Sequence, residues 1–188
     1  MAQKSQSASI ETLFSPDDKP AMRLIKEIDE TKDKILAAIY YISHQGIIDA
    51  LIRAHERNVH VRIISDAQTS HAIYSKVHQL TARGIPVFVH NLKKKSAKPP
   101  RITRAGFARY RLMHDKFAVL DQKVWTGSFN WTIGANTMNF ENVVIIEDES
   151  TRAKFFNRFF EIQSDSIPFV PVTAKKLVFR LNPILAQA

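Results

Sequence analysis

The stretch ILAAIYYISHQGIIDALIRAHERNVHVRIISD, residues 35–66, decides the fold class. Its first eight residues are a continuous apolar run of strand length, the pattern of a strand covered on both faces. Ser43 then stands as a helix cap before Ile47, Ile48, Leu51 and Ile52, which recur at helical spacing. VHVRIISD (59–66) returns to strand. Strand, helix and strand in this order predict a right-handed crossover and parallel pairing.

The alternation extends both ways. Upstream, ETLFS (11–15) reads as a short strand turned by Pro16, Asp17 and Asp18. A helix is expected over 20–33, with Pro20 in its first turn and Leu24, Ile25 and Ile28 on one face. Downstream, 69–83 reads as a helix with Ile73, Val77 and Leu80 inward and Gly84 as its stop, and 85–90 as a strand. Farther on come a hairpin (113–120 and 123–128), a strand (141–148) and a helix (149–164) turning Phe155, Phe156, Phe159 and Phe160 inward. The expected architecture is one α/β domain with a mixed, largely parallel central sheet and helices on both faces. Residues 1–9 are expected to be a flexible N-terminus and 10–166 the domain. The tail, 167–188, is apolar but broken by Pro168, Pro171 and Pro183, and is expected to dock across the domain or on a partner.

Composition narrows the function. The 188-residue chain is 45% apolar and 24% charged, ordinary values for a soluble domain. It has no cysteine, which excludes disulfides, thiolate zinc sites and cysteine nucleophiles. Its first residues lack the apolar core of a signal peptide, and no apolar run approaches the roughly 20 residues of a membrane span, so a cytoplasmic protein is expected.

The net charge of +9 is concentrated. Lys93, Lys94, Lys95, Lys98, Arg101, Arg104, Arg109 and Arg111 fall in one stretch without an acid, and the remaining 19 basic residues nearly balance the 18 acidic ones. Pro99, Pro100 and Gly106 make this stretch (91–112) a loop. It runs directly up to His114, which points to a polyanion-binding role.

The residues able to do chemistry lie just past that loop. In RLMHDKFAVLDQKVWTGSFNWT (111–132), His114, Lys116 and Asp121 fit the pattern H-x-K-x-x-x-x-D. Gly127-Ser128-Phe129-Asn130 and then Asn139-Phe140-Glu141-Asn142 come after it. Strand alternation places His114 and Lys116 on one face, and Ser128 and Asn130 can share a face beside them. Such a polar set is costly to bury without an anion to bind. His44, His55, His60, His71, His78 and His90 lack comparable company and read as structural or surface residues.

These motifs resemble the phospholipase D superfamily over about residues 10–165. The chain is most similar to single-motif members: the bacterial Nuc-type endonucleases and the mitochondrial cardiolipin hydrolase/Zucchini group. One departure is that five residues separate Asp121 from Gly127, where the family usually has six. The cysteine-rich zinc finger of Zucchini-like proteins is impossible here.

The resemblance implies a phosphodiester hydrolase without metal or cofactor. In it His114 forms a phosphohistidine, and Lys116 and Asn130 bind the non-bridging oxygens. Ser128 supports the phosphate, Glu141 accepts a hydrogen bond from the other ring nitrogen of His114, and Asp121 completes the motif. One motif is half a site in this superfamily, so a two-fold homodimer is implied, with two copies of His114 sharing one pocket. Nucleic acid is the preferred substrate, with the basic loop as its binding surface and Phe107 and Tyr110 available to stack on bases. The alternative is a phospholipase D acting on a lipid such as cardiolipin or phosphatidylcholine, since the loop would also attract anionic lipid. A non-catalytic nucleic-acid-binding module is the third reading.

Overall fold

The computed structural model describes residues 8–90 and 112–171. The basic residues Lys93, Lys94, Lys95, Lys98, Arg101, Arg104, Arg109 and Arg111 therefore lie outside the described residues, as do most of the expected flexible N-terminus and most of the tail.

The chain runs β1 (Ser9–Ser15), α1 (Pro20–Glu30), β2 (Lys34–Ile39), α2 (Gln45–Glu56) and β3 (His60–Ser65). It continues through α3 (Ala67–Ser70), α4 (Val77–Ala82), β4 (Val87–His90), β5 (Lys116–Leu120) and β6 (Lys123–Gly127). Last come α5 (Ile133–Thr137), β7 (Glu141–Glu147), α6 (Glu149–Ser164) and β8 (Ser166–Pro168). The eight strands of the described residues join one sheet in the order β1-β7-β6-β5-β2-β3-β4-β8.

The central strands explain their own composition. Ile35, Ala37 and Ile39 of β2 face a core formed with α1 and α2, which also holds Leu24, Ile28, Ile48 and Leu51. Leu36 and Ala38 face the opposite side, where Phe117 and Val119 of β5 pack with Phe159 and Ile162 of α6. A strand covered twice has no polar face to show, hence the unbroken apolar run.

The sheet is mixed, as expected, but the balance of directions is not. Among the strands of the described residues only β2–β3 and β3–β4 pair in parallel, whereas β1–β7, β7–β6, β6–β5, β5–β2 and β4–β8 are antiparallel. The βαβ alternation governs only β2 to β4. The first strand, expected at 11–15 as the start of that series and found at 9–15, crosses to the far edge and pairs with β7, and β5, β6 and β7 are antiparallel neighbours.

Other local expectations are corrected. Ser43 is not the cap of α2; His44 holds that position without a side-chain cap, and Ser43 gives its backbone N–H to the Trp131 carbonyl (2.9 Å). The helix expected over 69–83 is split into α3 and α4, and Ile73 between them is 86% exposed. Asp66 caps α3 early, and the Thr69 hydroxyl turns to the Tyr40 carbonyl, a local bond that competes with helix propagation. Of the four phenylalanines on α6 only Phe159 is buried; Phe155 and Phe156 are half-buried, and Phe160 is exposed. The start of the tail docks on its own domain as β8, with Phe169 buried and its N–H bonded to the Val87 carbonyl (2.8 Å).

Candidate active site

The site lies at one edge of the sheet because of strand direction. β5 runs antiparallel to β2 with Lys116 opposite Ile39, so the start of β5 meets the carboxyl end of β2. β6 ends, and β7 begins, at the same edge, where Gly127 stands opposite Val143. The carboxyl edge of parallel strands is the usual ligand side of open α/β sheets. Four ends thus deliver Tyr40 (past β2), His114 and Lys116 (β5), Ser128 and Asn130 (past β6) and Glu141 (β7).

A cavity of 540 Å³ there is lined by His114, Lys116, Ser128, Asn130 and Glu141, with Asp115, Phe117, Thr126, Gly127 and Phe155. The Lys116 Nζ donates to the His114 carbonyl (2.9 Å) and stands 3.2 and 3.4 Å from Nδ1 and Nε2 of the same residue. Burial pushes the Lys116 ammonium below the usual lysine range, partly offset by the nearby carboxylates of Glu141 and Asp115. A lysine partly stripped of water is primed to gain from an anion. His114 itself is exposed on the single chain.

Gly127 is required where it stands. Its φ is 152°, and a Cβ would lie 2.1 Å from the Asn142 carbonyl oxygen. This close approach of β6 and β7 lets the Ser128 N–H bond the Asn142 carbonyl (3.0 Å), which fixes Ser128 in the lining of the cavity. The Ser128 hydroxyl donates to Glu141 Oε2 (2.5 Å) and accepts from the Asn142 N–H (3.0 Å). Asn139 Nδ2 donates to Glu141 Oε1 (3.2 Å). Glu141 is thus engaged by Ser128 and Asn139, and not by the ring nitrogen of His114 as the resemblance implied. The Asn130 Oδ1 is buried without a hydrogen-bond partner among the described residues. Such an atom is costly unless something fills the pocket.

Asp121, expected among the site residues, is placed at the opposite end of β5. Its carboxylate accepts the backbone N–H groups of Lys32 (2.8 Å), Asp33 (3.0 Å) and Lys34 (2.9 Å). It is a staple between the β5–β6 turn and the start of β2, far from the pocket. Tyr40 was not anticipated. Its ring centroid lies 4.5 Å from that of His114, and Lys116 Nζ is 5.2 Å from the Tyr40 ring. In the sequence it hides inside the apolar run, and only the pairing of β2 with β5 brings it to the histidine.

The arrangement defines an anion pocket at the carboxyl edge of an α/β sheet, with an imidazole beside it and donors suited to phosphate oxygens. Known proteins resemble the chain in sequence and fold. Residues 24–162 match the family described as cardiolipin synthase, PLD-like domain. The phospholipase D of Rickettsia conorii is 31% identical over 81% of this chain and 68% of its own length. The mitochondrial cardiolipin hydrolase of Chlamydomonas reinhardtii is 33% identical over 64% of this chain and 47% of its own. Nuc of Salmonella typhimurium, a phospholipase D family member of known structure, superposes with a TM-score of 0.71 at 25% identity, covering 87% of this chain and 99% of that one. The chain belongs to the phospholipase D superfamily and is a phosphodiesterase of that superfamily.

Proposed function

We propose that the protein hydrolyses phosphodiester bonds of nucleic acid without a metal ion, using His114 as nucleophile in a site shared by two copies of the chain. The carrying observation is the single cavity joining His114 and Lys116 to Ser128, Asn130 and Glu141. An unprotonated ring nitrogen of His114 attacks phosphorus, and the bond to the leaving oxygen breaks as the partner subunit's His114 protonates it. Water then attacks the phosphohistidine, its proton passes to the partner's His114, and the phosphorus–nitrogen bond breaks. Lys116 and the amide of Asn130 hold the non-bridging oxygens, so the charge that a metal would neutralise meets protein donors. Ser128 orders the pocket floor through Glu141.

Two features favour the shared site. The chain carries one H-x-K motif, and its histidine is open on the protomer. Beside the pocket, Phe140 (93% exposed), Ile73 (86%), Tyr74 (75%), Met138 (74%) and Ile133 (58%) present an apolar surface. Ile73, Tyr74 and Ile133 share a cleft with Asn130. A second copy seated there would cover this surface and bring its own His114 to the pocket. Nucleic acid is favoured over lipid by the eight basic residues between 93 and 111, which lead into His114. Among the described residues no helix is long and apolar enough to cross a membrane.

The test sets single- and double-stranded DNA and RNA beside cardiolipin and phosphatidylcholine vesicles, all with EDTA, with wild-type protein and His114→Ala. Cleavage of nucleic acid by the wild type alone is expected. Turnover confined to vesicles would replace the nuclease with a phospholipase D, and activity that needs added magnesium would refute the metal-free mechanism.

A further inference from the structure

His114 stands outside the sheet ladder. β5 begins only at Lys116, so residues 112–115 are held by other means. One tie is a carboxylate that takes no part in the hydrolytic steps. Asp66, fully buried past the end of β3, accepts the backbone N–H of Met113 on Oδ2 (3.2 Å) and that of Gln68 on Oδ1 (2.9 Å). Met113 is itself buried and directly precedes His114.

The same corner of the fold braces the other side of the histidine. Ser65 Oγ donates to the Tyr40 carbonyl (3.2 Å), and so does the Thr69 hydroxyl on α3, the helix that Asp66 caps. The Tyr40 N–H donates to the Asp115 carbonyl (3.0 Å), and the Tyr40 ring lies against the imidazole. His114 is therefore gripped at the residue before it, at the residue after it and on its ring face. All three grips lead back to residues 65–69.

We propose that Asp66 is a positioning residue that fixes where His114 stands relative to the phosphate donors on Lys116 and Asn130. It touches neither the imidazole nor the phosphate. Its carboxylate is needed because it must accept two N–H groups at once in a site without water access. The serine of Asp66→Ser keeps the capping ability of a short polar side chain but is too short to hold Met113 as well. The amide of Asp66→Asn offers one acceptor oxygen and turns an NH₂ toward the second N–H donor. Either change frees the chain just before the nucleophile. Displacement of a reacting group by about 1 Å costs on the order of 10²-fold in rate.

This inference rests on the hydrolytic role of His114, and its test separates the two. Hydrolysis of bis(p-nitrophenyl) phosphate, a small diester independent of the basic loop, is measured for wild type, Asp66→Ser, Asp66→Asn and Asp148→Ser. The last changes the analogous cap of α6, where Asp148 accepts the Thr151 N–H (2.7 Å). The His114 ring signals are followed by NMR in the same four proteins, assigned by their loss in His114→Ala. The expected result is a fall in kcat of about 10- to 100-fold for Asp66→Ser with KM changed by less than about threefold. Its His114 ring signals move, whereas Asp148→Ser keeps wild-type values of both. If Asp66→Ser does not fold, Asp66→Asn supplies the readout. Unchanged kcat and unmoved ring signals in a folded Asp66 variant would reduce Asp66 to a helix cap and overturn the proposal. A wild-type chain inactive on every diester would refute the hydrolytic reading instead, with the ring signals still deciding whether Asp66 places His114.

Discussion

Replacing Asp121 should cost stability and leave the chemistry alone. Its carboxylate accepts three backbone N–H groups, at 2.8, 3.0 and 2.9 Å, and its own φ is 49°. Hydrogen bonds to a charged acceptor contribute about 1.5–3 kcal/mol each, which solvent access at this turn reduces to roughly 1 kcal/mol apiece. Alanine in the left-handed region adds a further cost of about 1 kcal/mol. Asp121→Ala should therefore destabilise the domain by about 4 kcal/mol, or about 8–16 °C in Tm for a chain of this size. Asp121→Asn, which tolerates positive φ but keeps one acceptor oxygen, should lose about half as much. Urea titration gives the stability, and kcat per folded molecule, measured well below the lowered midpoint, should stay within about twofold of wild type. An Asp121→Ala protein with wild-type stability and no turnover would refute this reasoning and return Asp121 to the site.

That aspartate shows how far the sequence could be read. The motif places Asp121 with His114 and Lys116, and only the direction of β5 reveals that the two ends of the motif serve opposite edges of the sheet. The α/β class, most strands and the residues collected in the cavity were legible, because alternating periodicities and a G-S-x-N turn are local signals. Pairing partners were not. β1 obeys the same local rules wherever it pairs, so its move to β7 left no mark in ETLFS. The break between α3 and α4 was hidden because Ile73 keeps helical spacing with Val77 and Leu80, although it points to solvent. Tyr40 and Asp66 were missed because each serves the site through contacts 74 and 47 residues away in sequence.

The same geometry sets three other outcomes. Burial lowers the Lys116 ammonium, so its charge is lost on raising the pH sooner than the ordinary lysine value of 10.5 would give. The alkaline loss of kcat/KM that begins as the general-acid His114 gives up its proton should steepen at a further step below that value, a step that Lys116→Arg abolishes; a profile without that second step would contradict the role of Lys116. Replacing Lys93, Lys94 and Lys95 by alanine should flatten the salt dependence of nucleic-acid binding by about 2–3 units of log–log slope, and an unchanged slope would remove the loop from the substrate path. A mixed dimer of one wild-type and one His114→Ala chain should lose about 10²–10⁴-fold, since it lacks either nucleophile or acid, whereas half the wild-type rate would mean that each chain holds a complete site.

The covalent role of His114 is tested most directly by the stereochemistry at phosphorus. A phosphorothioate diester of known configuration is hydrolysed in ¹⁸O-labelled water and the configuration of the product determined. Attack by His114 and then by water are two in-line displacements, each inverting the centre, so overall retention is expected. Inversion would mean that water attacks phosphorus in a single step, and His114 would then not be the nucleophile.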